Sequence, residues 1–212
     1  MLCCRYDPPA GKVVASAGLD GNCVITSNVC RLDEAETAGP WGSVTEHGQK
    51  LMEFHCNGWI NYVAFSPSAA TICFVSHDCE LNFADTSKGK DSTEKSKVFH
   101  GGNPHMNCLF VNEDTLVACG YDKVPFVYKK TGGEWKEDQC LDGGINSVRS
   151  TKVGHAIADK KVYFNPDFKL DKNVEVTESA TKHLNYINAI QLTKPKQLCT
   201  TDINGILAVW DL

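Results

Sequence analysis

Several groupings of residues in this 212-residue chain have the types needed for catalysis or metal binding. His183 and Asp202 have the makings of a general-base dyad, an imidazole oriented by a carboxylate. His77-Asp78-Cys79 sets an imidazole, a carboxylate and a thiol in consecutive positions. His100 and His105 flank a Gly-Gly-Asn-Pro stretch and are zinc-type ligands. Eleven cysteines add thiols. Each set lacks the rest of a site. No third ligand at sensible spacing accompanies His100 and His105, and no Cys-x-x-Cys pair occurs. No glycine-rich phosphate loop follows a strand and opens a helix. The cysteine count is odd and residues 1–7 are too short and polar for a secretory signal, which argues against a disulfide framework. Cys23, Cys73, Cys108, Cys119 and Cys199 lie in or beside apolar runs, where free cysteine packs as a small hydrophobe. The expectation is no catalytic residue, no cofactor and no metal.

These residues belong to a unit that recurs four times, at residues 13–25, 72–81, 116–127 and 198–207. Each copy is an apolar strand, a tight turn carrying an aspartate, and a second apolar strand. The turn aspartates are Asp20, Asp78, Asp122 and Asp202, and Val209-Trp210-Asp211-Leu212 ends the chain. This is the signature of a WD-repeat β-propeller, an all-β fold. The 44-residue interval from Asp78 to Asp122 falls near the WD period of about 40–45 residues, and insertions lengthen the other two. Propeller blades bury both faces, so their inner strands read as continuous apolar runs, as Ile72-Cys73-Phe74-Val75 and Ile206-Leu207-Ala208-Val209 do. The turn aspartate bonds its own backbone. In WD repeats it also accepts a bond from a histidine ahead of the first strand, and a Ser/Thr and a Trp complete the network. The fourth unit has that set: His183, Thr200 or Thr201, Asp202 and Trp210. For His183 and Asp202 the structural reading is therefore preferred to the catalytic one. In the second and third units, Phe83-Ala84-Asp85 and Val127-Tyr128 replace Val-Trp-Asp.

The expected blades cover residues 1–56, 57–100, 105–141 and 183–212, with an insertion at 142–182. Outer strands are expected at residues 51–54 and 135–140. Residues 86–97, rich in Lys, Ser and Asp, read as a surface loop. A net charge of −5 argues against general nucleic-acid binding, and no apolar run reaches the roughly 18 residues of a membrane span.

With these residues in view, the chain resembles the WD-repeat subunit of the actin-related protein 2/3 complex. The resemblance is carried by Pro40-Trp41-Gly42-Ser43, Leu51-Met52-Glu53-Phe54, Gly58-Trp59-Ile60, Val75-Ser76-His77-Asp78, the run from Leu116 to Asp122, and Trp210-Asp211. It implies a non-catalytic, seven-bladed propeller in the cytoplasm and actin cytoskeleton, at the cortex or in cell projections. Its partners would be the other subunits, the actin filament and nucleation-promoting factors. This chain holds material for four consecutive blades, an open or incomplete ring, as expected of a truncated product. The family's insertion before the last blade is implicated in filament contact. Residues 149–172 carry six basic and three acidic side chains, which suits acidic actin. Lys160, Lys161, Phe164, Phe168 and Lys172 are the expected contacts. The competing reading is a generic WD scaffold, such as a ubiquitin-ligase adaptor or a trafficking-coat component.

Overall fold

The computed structural model describes residues 2–8, 11–28, 36–37, 39–44, 46–142 and 181–212. Its regular structure is strand, apart from single 3-10 turns at Gly39–Trp41 and Lys90–Ser92. The first sheet joins β1 (Cys3–Tyr6), β2 (Val13–Ala17), β3 (Asn22–Ser27) and β6 (Lys50–His55) in that order. Between its last two strands lies a small ribbon of β4 (Glu36–Thr37) and β5 (Ser43–Val44). The second sheet is β7 (Ile60–Phe65), β8 (Thr71–Ser76), β9 (Glu80–Asp85) and β10 (Glu94–Phe99). The third is β11 (His105–Asn112), β12 (Thr115–Gly120), β13 (Phe126–Thr131) and β14 (Glu134–Cys140). The fourth is β15 (Ile187–Lys194), β16 (Gln197–Asp202) and β17 (Leu207–Asp211). Every pairing is antiparallel, for example Ile72 opposite Ala84 and Leu198 opposite Trp210.

Successive sheets stack face to face, and burial follows the stacking. All six residues of β8 are buried, because the second sheet has a neighbour on each side. In β2 and β16 burial alternates, because one face of the first and fourth sheets meets a neighbour among the described residues. Three cores result. Ala15, Ile25 and Phe54 pack on Val63, Ile72 and Phe74 between the first two sheets. Cys73, Val75 and Phe83 pack on Leu116, Phe126 and Trp135 between the next two. Val117 and Val127 pack on Leu198, Ala208 and Trp210 between the last two.

Polar fasteners cross the same boundaries. The Arg5 guanidinium bonds the Tyr62 hydroxyl and lies 4.3 Å over its ring. Lys130 meets Asp85 at 2.5 Å. The Trp41 indole, from the connection within the first sheet, donates to the Ala69 carbonyl of the second at 2.8 Å and packs edge-on to Phe65. A close approach is enforced at Gly120, where a Cβ would stand 2.5 Å from the Met106 nitrogen.

The stretch 86–97 differs from expectation. Its second half enters β10, the outer strand of the second sheet. Lys95 and Lys97 are exposed there, and Lys97 bonds Glu80 at 2.7 Å. An outer strand with charged side chains is protected against pairing with other chains, and that same composition imitates a loop.

Candidate functional site

The chemically capable residues gather at one end of the sheets, where the second strand turns into the third and the chain enters the first strand of the next sheet. Hydrogen bonds from the fourth residue of each turn back to the first run Gly21 to Gly18, Cys79 to Ser76, Lys123 to Gly120 and Gly205 to Asp202. The fourth residue takes positive φ in every case: 72° at Gly21, 66° at Cys79, 66° at Lys123 and 83° at Gly205. These turns place Asp20, Asp78 and Asp122 at equivalent positions, just ahead of the left-handed residue. In the fourth turn that position belongs to Asn204. Asp202, expected as the fourth turn aspartate, lies two residues earlier, at the end of β16. Asn and Asp both tolerate this geometry and bond nearby backbone, so composition alone does not separate them.

In the fourth sheet, the buried His183 ring meets Thr200 Oγ1 through Nε2 at 2.7 Å, and the Trp210 indole donates to the same hydroxyl at 2.8 Å. One hydroxyl thus joins the imidazole and the indole. Asp202 Oδ2 lies 3.4 Å from Nδ1, near enough to attract but outside hydrogen-bond geometry. Its two oxygens instead collect backbone N–H groups from Leu184, Asn185, Asn204 and Ile206. Burial pushes the Asp202 carboxyl up, but those donors and His183 outweigh it and hold the group below its ordinary value. Thr200 belongs to this network, whereas Thr201 bonds Asn188. His183 has no exposed surface and its Nε2 is occupied, so the pair has no path to a substrate proton.

The third sheet holds a second network that the sequence reading did not assemble. His100, also fully buried, meets Asp122 Oδ2 through Nε2 at 2.7 Å and Glu137 Oε2 through Nδ1 at 3.0 Å. The Tyr128 hydroxyl lies 2.9 Å from His100 Nδ1 and 2.8 Å from His105 Nε2. Asn103 donates to both oxygens of Asp122. Burial raises the Asp122 carboxyl, and bonds and charge from His100, then Asn103, bring it below its usual range. The available signal was Tyr128 at the Trp position with a histidine ahead of the strand; Glu137 enters from the outer strand and has no counterpart in the repeat.

The remaining candidates are simpler. In the second sheet Ser76 donates to Asp78, and His77 packs edge-on to Trp59. In the first, Asp20 caps Asn22 through its backbone and side-chain amides. Burial pushes the thiols of Cys3, Cys23, Cys56, Cys73, Cys79 and Cys119 up, away from the reactive thiolate. Among the described residues no three His, Cys, Asp or Glu side chains gather as a metal would need. Lys160, Lys161, Phe164, Phe168 and Lys172 lie outside the described residues, as does nearly all of the expected insertion.

Apolar strand, tight turn and apolar strand in face-to-face antiparallel sheets, with a buried His–Thr–Trp cluster, are consistent with the WD-repeat β-propeller class. Within that class the chain is similar to Actin-related protein 2/3 complex subunit 1A-A of Xenopus laevis, with 28% identity over 198 residues, covering 89% of this chain and 51% of the relative. It is also similar to Actin-related protein 2/3 complex subunit 1A of Arabidopsis thaliana, 25% identical over 217 residues, 96% of this chain and 56% of the relative. A third relative is Actin-related protein 2/3 complex subunit 1 of Schizosaccharomyces pombe, 26% identical over 133 residues, 62% of this chain and 35% of the relative. The resemblance read from the connecting segments is borne out by these relatives. The chain spans about half the length of the first two relatives. No family model matches it.

Proposed function

We propose that this chain acts as a non-catalytic subunit of an actin-related protein 2/3 complex, supporting nucleation of branched actin filaments and filament binding in the cytoplasmic actin cytoskeleton, at the cortex or in projections. The observation that carries the reading is the 89% of this chain aligned with the Xenopus laevis relative. The site geometry agrees with it: the histidines and aspartates are consumed in holding sheet ends together. In this reading the four sheets are consecutive blades of a seven-bladed ring, and the rest of the ring lies beyond them. Residues 142–182 form an insertion ahead of the last blade. Its Lys160, Lys161, Phe164, Phe168 and Lys172 meet actin or the branch junction, and nucleation-promoting factors bind the assembled complex.

The test is purification of the tagged chain from its own cells. Co-purification of actin-related proteins supports the reading. Recovery of ubiquitin-ligase or coat components in their place overturns it. In the recovered complex, alanine at Lys160, Lys161, Phe164 and Phe168 should lower branching in a fluorescence assay of filament growth, while wild-type branching would reject the filament contact.

A further inference from the structure

We draw no further inference here: the strongest candidate, the outward faces of the first and fourth sheets, where Tyr6, Leu207 and Val209 stand exposed, carries nothing, because nothing in the structure shows what covers them.

Discussion

The third and fourth sheets bury a histidine at the same point, ahead of the innermost strand, and satisfy it differently. His183 sees a hydroxyl, an indole beyond it, and a carboxylate at 3.4 Å that serves the backbone. His100 sees a carboxylate on each ring nitrogen. Both of its ring nitrogens therefore face carboxylate oxygens. The fold thus uses a buried imidazole to tie the entering loop to the sheet, and accepts either a hydroxyl or a pair of carboxylates as its partner. The hydroxyl arrangement is local to its own turn and strands. The carboxylate arrangement recruits Glu137 from the outer strand and so fastens the whole width of the sheet.

The largest effect should come from Trp210→Ala. It empties a site 3% exposed and removes the donor to Thr200, so it should cost about 3–5 kcal/mol in urea unfolding. Thr200→Val should cost about 1–3 kcal/mol, because it leaves His183 Nε2 and the Trp210 indole without partners. Thr201→Val should cost less than about 0.5 kcal/mol, and equal costs would dissolve the distinction between the two threonines. Tyr128→Phe should cost about 1–2 kcal/mol by thermal unfolding. The smallest effect is on acid stability. The Asp122 carboxyl is lowered in the folded chain, so its contribution is full above its unfolded value of about 3.9 and is lost as pH falls through the folded value. Asp122→Asn should flatten the acid limb of the stability curve below about pH 4. An unchanged limb would mean that the His100–Asp122 network is not an acid-sensitive element.

Most strands were legible because their runs are apolar and bounded by turn residues: residues 13–17 read as a strand and form β2 (Val13–Ala17). β10 was not, because its side chains are polar and β propensity depends on what they pack against. The fourth-sheet cluster was legible as a spacing of His, Thr and Trp. Its third-sheet counterpart was not, because Tyr128 replaces Trp and Glu137 belongs to another strand. The choice between Thr200 and Thr201 was settled by the side of the strand each occupies. Trp41 was visible as part of an unusual motif, but its bond to Ala69 joins different sheets and no local pattern encodes it.

That bond makes the array unequal along its length. In a stack whose members touch only their neighbours, stability is roughly a sum of unit and boundary terms, and the weakest boundary decides where opening starts. The first boundary has the Trp41 strap in addition to its core, while the last rests on the smallest of the three clusters. The first two sheets should therefore exchange their amide hydrogens as one slow cooperative unit, with the fourth sheet opening first.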